Sequence, residues 1–198
     1  MTPLITDLSA LGILDAQRLT EFHPRVRDRD DIAVLRDPVT DVIVLSCSDH
    51  MTVSYYEAKP ESAEHIIHGR TMATPALEDD IRRGQEFGAL LRNKRWLDFG
   101  CGLGGVLDAL AGQTRWAAGL EPSRERAAIA ASKGHMILSS LGEVQPGSLD
   151  VVTLFHVLEH LTHPLESLRE IATRLGDAGT VLIEVPHARD ALFTLYDS

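Results

Sequence analysis

The sequence predicts an α/β protein: a parallel sheet with helices on both faces. Three observations predict it. From about Pro75 onward, the apolar runs RWLDFG, RWAAGLE, HMILSS, LDVVTLF and TVLIEVP alternate with stretches of helical spacing. The glycine-rich turn GCGLGG follows the first of those runs directly. The second run ends on an acid, Glu121, about 20 residues past that turn.

In chain order, residues 1–74 read as an accessory region and 75–198 as the α/β core. In the accessory region, IAVLRD (Ile32 to Asp37) and DVIVLSC (Asp41 to Cys47) are rich in β-branched residues. They flank the turn-forming DPVTD, which gives a β-hairpin. The preceding RVRDRDD is expected to be a solvated loop. SYYEAKPESAEHIIHGR, broken by Pro60 and Gly69, is expected to be irregular. The core opens on a helix, PALEDDIRRGQEFGALLR, with Leu77, Ile81, Phe87 and Leu90/Leu91 as its apolar positions. The strand RWLDFG, the glycine turn and the helix GVLDALAGQ follow. Next come the strand RWAAGLE and a helix that starts at Pro122-Ser123 and stops at Gly134. HMILSS is a short strand and LDVVTLF a buried one. HPLESLREIATRLGDAG is a helix with Pro164 in its first turn, and TVLIEVP is the last strand.

The 198 residues carry 19 basic and 29 acidic side chains, a formal net charge of -10. Such a surface repels phosphate backbones, which argues against bulk nucleic-acid binding. Cys47 and Cys101 form neither a disulfide framework nor a CxxC pair, as expected of reduced thiols in a cytoplasmic protein. The N-terminal MTPLITDLSALGILDAQ has no basic segment and is interrupted by Asp7 and Asp15, so it does not read as a signal peptide. No apolar run has the ~18 residues of a membrane span.

Gly100, Gly102, Gly104 and Gly105 let the chain turn sharply and let a ligand approach the backbone with no Cβ in the way. The helix behind them would aim its first N–H groups at that ligand. Glu121 at the next strand end can accept both ribose hydroxyls of an adenosine, and its charge argues against a 2′-phosphate. Spacing alone leaves a nicotinamide dinucleotide open, because Gly105 stands where the dinucleotide fingerprint places its third glycine.

The segments WLDFGCGLGGVLDAL, GLEPS, GSLDVVTLFHVLEHLTHP and LREIATRLGDAGTVLIEVPH, in this order and spacing, resemble a class I S-adenosylmethionine-dependent methyltransferase over roughly Leu90 to His187. Asp98, just before Gly100, is typical of that family and not of the dinucleotide fingerprint. The subgroup it looks like reads hVLEH at the fourth motif, and many of its members act on sugars, lipids or quinone precursors. The resemblance implies a Rossmann-like core and S-adenosylmethionine as cofactor, with S-adenosylhomocysteine as product. It implies that Asp98 holds the methionine end, and that Gly100, Cys101 and Gly102 line the backbone cradle. Glu121 would hold the ribose, Pro122 border the adenine, and Ser140 and Leu141 meet its other side. Phe155 and His156 would lie near the sulfonium. The family's usual acid after the third strand is replaced by Ser139 and Ser140. Family members also add two further strands. Here only HARDALFTLYDS follows TVLIEVP, so the core is expected to lack those strands, to expose its fifth strand as an edge, and to be able to pair into a homodimer there.

His156-x-x-Glu159-His160 also has the spacing of a zinc-protease motif. Zinc ligands of that kind share one face of a regular helix, whereas this segment ends a buried strand, so no metal is expected. His156, His160 and His163 are candidate bases for deprotonating an acceptor, with His156 foremost. Three functional readings follow: methyl transfer to a small-molecule acceptor, a silent cofactor-binding scaffold, and a nicotinamide-dependent enzyme, against which Asp98 and the VLEHL turn speak.

Overall fold

The computed structural model describes residues 2–26, 29–48, 65–67, 70–72 and 76–186. They fall into two compact units. One is drawn from Met1–Thr52, Glu159–Ser167 and Pro186–Ser198, and the other from Val53–Leu158 and Leu168–Val185.

The first unit opens on helix α1 (Pro3–Ala10), which the sequence reading missed. Thr2 caps it by accepting the Ile5 N–H at 3.3 Å, and proline stands in its first turn, where no N–H is needed. The expected hairpin forms as β2 (Val34–Arg36) and β3 (Ile43–Leu45), and β1 (Thr20–His23) pairs antiparallel on the other edge of β2. The strands are short, and their core is small: Ile5, Leu14 and Val44 with Leu35 and Leu19 packed around them. A buried carboxylate organises the turn. Asp37 is fully buried and accepts the Asp15 and Val39 N–H groups, each at 2.9 Å, and an Arg18 N–H at 3.0 Å.

In the second unit, β4 (His65–Ile67) and β5 (Arg70–Met72) pair antiparallel, in a stretch whose composition predicts irregular chain. Residues 54–64 and 68–69 of that stretch lie outside the described residues. Helix α2 (Ala76–Leu91) follows. The sheet proper consists of β6 (Arg95–Phe99), β7 (Trp116–Leu120), β8 (Ile137–Leu138), β9 (Leu149–Phe155) and β10 (Leu175–Glu184), all parallel, in the order β10-β9-β6-β7-β8. Helices α3 (Gly105–Leu110), α4 (Arg124–Ser132) and α5 (Pro164–Arg174) connect them. The chain builds outward from β6 through β7 and β8, then returns to lay β9 and β10 on the opposite flank. That reversal opens a crevice at the C-terminal ends of β6 and β9, where ligands bind in open α/β sheets.

Alternation along the strands divides the core. Trp96 and Val151 face one side with Leu91, Val106, Leu107 and Leu110. Leu97 and Val152 face the other with Leu120, Leu154 and Ile171. Each such side chain taken from water contributes about 1.5–3 kcal/mol before entropy is charged against it.

Two sequence expectations are corrected. The inward stripe of α2 is Asp80, Arg83, Gly84, Phe87, Gly88 and Leu91, while Ile81 and Leu90 stay 49% and 38% exposed. The spacing is helical as expected, but rotated, because charged and glycine positions occupy the buried face. A Cβ on Gly84 would lie 3.4 Å from Ala109 of α3, and one on Gly88 3.5 Å from Leu110, so the two helices pack close at these positions. The last helix also stops at Arg174. Leu175 begins β10, with a register irregularity before Thr180. The expected stop after the fifth strand concerns residues 187–198, which lie outside the described residues.

Backbone hydrogen bonds from the Asp15 segment, aided by Arg18, hold the Asp37 carboxyl well below the usual carboxylate range. A depressed folded pKa gives stability that is complete above about pH 4 and fades as pH falls through the folded value. Asp37→Asn is therefore expected to lower the melting temperature at pH 7, with a smaller deficit at pH 3. Equal melting at pH 7 would show that this carboxylate does not hold the turn.

Candidate functional site

The site begins with the turn after β6. Gly100 N and Cys101 N both donate to the carbonyl of Leu120 at the end of β7, at 2.7 and 3.1 Å. The turn is thus stitched to the neighbouring strand at its start. Gly100, Gly102 and Gly104 all have positive φ, of 78°, 55° and 79°. The first two serve different ends. A Cβ on Gly100 would collide with the Val157 side chain, whereas no protein atom lies within 4 Å of the place where a Gly102 Cβ would stand. Gly100 is glycine for packing, and Gly102 faces open space.

Glu121 joins the turn to the helix that follows. It is only 7% exposed. Its Oε2 accepts the Gly102 N–H at 2.9 Å, and its Oε1 accepts the Ser123 N–H at 2.8 Å. Ser123 in turn caps α4. The expected pairing of glycine turn and acid is therefore a direct contact. Beside it opens a cavity of about 500 Å³ lined by Glu121, Pro122, Arg124, Ala127, Leu138 and Ser139. Of the residues expected on the far wall, Ser140 is exposed and starts a short 3-10 turn, and Leu141 is packed in the core. Glu143 reaches back to accept from Ser139 N, Ser139 Oγ and Ser140 N at 2.7–3.0 Å, which brings a carboxylate to the segment where the sequence shows only serines. The Ser139 contacts, with Ser140 N, hold it below its ordinary range.

Asp98 stands one strand position from the turn and is 2% exposed. The β6–β9 register places Thr153 directly opposite. The Thr153 hydroxyl donates to Asp98 Oδ1 at 2.7 Å and accepts from the Trp96 indole at 2.9 Å. Burial pushes the Asp98 carboxyl up to about 7, against the opposing pull of the Thr153 hydrogen bond and the Arg83 charge. Burial likewise raises the Cys101 thiol to about 12, so that side chain packs and does not react.

At the end of β9, the Phe155 ring stacks on Phe87 with centroids 5.8 Å apart, and the Arg83 guanidinium lies 4.8 Å above it. Arg83 donates to Glu184 Oε1 at 2.6 Å, and Arg82 grips both Glu184 oxygens at 2.8 and 2.9 Å. Burial would raise the Glu184 carboxyl, but the Arg83 and Arg82 hydrogen bonds outweigh it and hold the group below its ordinary range. His156 has a left-handed backbone, φ 53°. Its N–H donates to the Glu184 carbonyl at 2.9 Å, and its Nε2 lies 3.3 Å from Glu184 Oε1. His156 thus ends a strand, and Leu158–His160 form a 3-10 turn, so the His-x-x-Glu-His spacing does not lie on a helix. His160 and His163 belong to the other unit. There His160 Nε2 is 4.0 Å from Glu159 Oε1, and the His163 carbonyl accepts the Ser167 N–H at the start of α5.

A profile described as a methyltransferase domain matches residues 72–197. The chain belongs to this methyltransferase family. Ubiquinone biosynthesis O-methyltransferases of Ralstonia nicotianae and Xanthomonas campestris are 29% and 32% identical over 117 residues. Those alignments cover 54% and 53% of this chain, and 49% and 48% of the relatives, so the match spans about half their length. Among solved structures, the YcgJ protein of Bacillus subtilis superposes with TM-score 0.50 at 20% identity, over 57% of this chain and 54% of that one. A SAM-dependent methyltransferase of Thermotoga maritima gives TM-score 0.50 at 21% identity, over 59% and 56%. These two share the fold of the methyltransferase core.

Sequence reasoning missed Arg83, Thr153 and Glu184. Thr153 carried a signal, as the one polar residue in the apolar run VVTLF. Arg83 and Glu184 carried none, because their partners are about a hundred residues away.

Gly100→Ala is expected to cost on the order of 2–4 kcal/mol, combining a left-handed backbone with the Val157 clash. Adding Val157→Ala should recover the clash and leave the backbone cost. Denaturant melts of the single and double variants measure both parts, and no recovery in the double variant would refute the clash.

Proposed function

We propose that the chain transfers a methyl group from S-adenosylmethionine to a hydroxyl of a small-molecule acceptor. The observation that carries this reading is the 2.9 Å contact between the Gly102 amide and the Glu121 carboxylate, at the sheet's reversal point and beside an open cavity. The residues fit the cofactor. Gly102 leaves its backbone approachable, Glu121 brings a carboxylate to the end of β7, and Asp98 offers a buried acid for a cationic group. When bound, S-adenosylmethionine supplies an already activated methyl group on a sulfonium. The protein's task is then mainly alignment, worth roughly 7–11 kcal/mol of barrier.

Gly100, Cys101 and Gly102 would form the cradle, Glu121 would hold the ribose, and Pro122 with Leu138 and Ser139 would border the adenine. Phe155 and Arg83 would shape the region nearest the reacting methyl. His156, half exposed at the end of β9, would remove the acceptor's proton. The names of the relatives from Ralstonia and Xanthomonas favour a quinone-precursor hydroxyl over a sugar or lipid. An acidic chain with thiol cysteines fits the cytoplasm, and the long edge strand β10 fits pairing with a second copy.

Calorimetry with S-adenosylmethionine and with its demethylated product tests the cofactor, and should give micromolar-range affinity. Absence of heat with both would reject the reading. Binding without methylation of any catechol or phenol in a broad screen would identify a silent cofactor-binding module. Glu121→Ala is expected to weaken binding by roughly 1–3 kcal/mol through lost charge-assisted hydrogen bonds.

Affinity should also depend on pH. Burial raises the Asp98 carboxyl to about 7, so part of the population is protonated at neutral pH. A cationic ligand group favours the carboxylate, so binding expels a proton. Affinity is expected to rise with pH, by up to about tenfold per unit below 7, and to level off above. Asp98→Asn should flatten this profile. An equally steep profile in the variant would place the titrating group elsewhere.

A further inference from the structure

We infer that Glu184 is the positioning residue for His156, holding its imidazole over the end of β9 through a two-point grip anchored by Arg82 and Arg83. The inference rests on the reading of His156 as the base of the transfer.

The first point of the grip is backbone. The His156 N–H donates to the Glu184 carbonyl at 2.9 Å, just past the last parallel pair of β9 and β10, Phe155 opposite Glu184. The second point is side chain, with Nε2 3.3 Å from Glu184 Oε1. One residue therefore fixes both the place where His156 leaves the sheet and the direction of its ring. The left-handed backbone at His156 turns the chain at that place.

Glu184 is itself held from a third element. Arg82 donates to both carboxylate oxygens and Arg83 donates twice to Oε1, at 2.6 and 3.1 Å. Arg83 is 7% exposed and is fixed further by the Phe155 ring and by Asp80 at 3.6 Å. Arg82 is shared with Asp79 and Glu86 on the surface of α2. Among the described residues, the charged groups on this side of the imidazole include Arg82 and Arg83 from α2 and Glu184 from β10, with Asp80 and Asp98 beyond Arg83. Two guanidinium groups keep the Glu184 carboxyl ionised. The carboxylate 3.3 Å from Nε2 orients the ring that would take the acceptor's proton. Two arginines thus fix a carboxylate that also lies 3.3 Å from the imidazole.

The test is the imidazole N–H proton spectrum, which needs no acceptor. Wild type should show a downfield N–H resonance, slow to exchange with water, that disappears in His156→Asn. Glu184→Ala should abolish it, and Glu184→Gln should keep it but move it upfield, because a neutral amide oxygen is the weaker acceptor. A resonance absent from wild type, or unshifted in Glu184→Gln, overturns the inference. Glu184→Ala leaves two arginines without their carboxylate, so the Gln variant decides where the Ala variant does not fold. With a catechol as methyl acceptor, Glu184→Gln should lower kcat by 10- to 100-fold and leave KM for S-adenosylmethionine within about threefold; an unchanged kcat also overturns it. Should wild type methylate no catechol, the failure falls on the proposed reaction, and the N–H spectrum still decides the role of Glu184.

Discussion

The geometry of the glycine turn depends on one carboxylate. Glu121 takes a backbone N–H from each side of the β7–α4 junction, from Gly102 across the crevice and from Ser123 along its own chain. Charge-assisted bonds of this kind are roughly twice as strong as neutral ones. They act at the point where the glycine turn would otherwise be loosest. The start of the turn is already tied to the Leu120 carbonyl, so two adjacent residues at the end of β7, Leu120 by its main chain and Glu121 by its side chain, hold the loop. Among the described residues the carboxylate makes these two hydrogen bonds, one on each oxygen, which leaves lone pairs for a ligand. The same group can therefore shape the loop and recognise what binds there.

A second constraint is electrostatic. Asp80, Arg83, Asp98 and Glu184 lie in or beside the Trp96 face of the sheet, and the first three are largely buried. Charges taken from water are costly unless paired, and removing one partner costs more than the pair ever contributed. The structure answers the cost unevenly. Glu184 has two arginines, and its pKa falls. Asp80 and Asp98 are dominated by burial, and their pKa values rise. One helix, α2, thus bears the cation that faces all three acids. Its buried face had to carry Asp80 and Arg83 where a purely structural helix would carry leucines. This is why the apolar positions Ile81 and Leu90 were left outside.

That rotation explains what the sequence disclosed and what it hid. The five parallel strands, the glycine turn, Asp98 and Glu121 were legible because each announces itself locally: an apolar run, positive-φ glycines, an acid at a strand end. The N-terminal hairpin was legible from DPVTD between two β-branched runs. Helix α1 was not, since an eight-residue helix capped by Thr2 leaves too few apolar periods to register. The face of α2 was misread because periodicity weighs hydrophobicity alone, and a buried salt link with two glycines reads as solvent-exposed. Glu143 was hidden for a related reason. Its carboxylate serves Ser139 and Ser140 from three and four residues further on, so an inspection of the strand end finds only hydroxyls there.

His156 is where local preference and structure conflict most. Among the described residues, three other than glycine adopt positive φ: Asp41, Asn93 and His156. Asn, Asp and His are the side chains most often found there, yet the conformation still costs energy relative to glycine. A glycine at 156 would relieve the backbone, as it does at 100, 102 and 104. Retaining a side chain at such a position costs of order 1 kcal/mol or more, and persists only where the surroundings over-determine the conformation. Those surroundings are visible: the Glu184 carbonyl on the backbone N–H, the Glu184 carboxylate beside the ring, and two arginines behind that carboxylate. The strain lies at the C-terminal end of β9, beside the sheet's reversal point, and a glycine there would relieve the backbone but carry no imidazole for the proposed proton transfer.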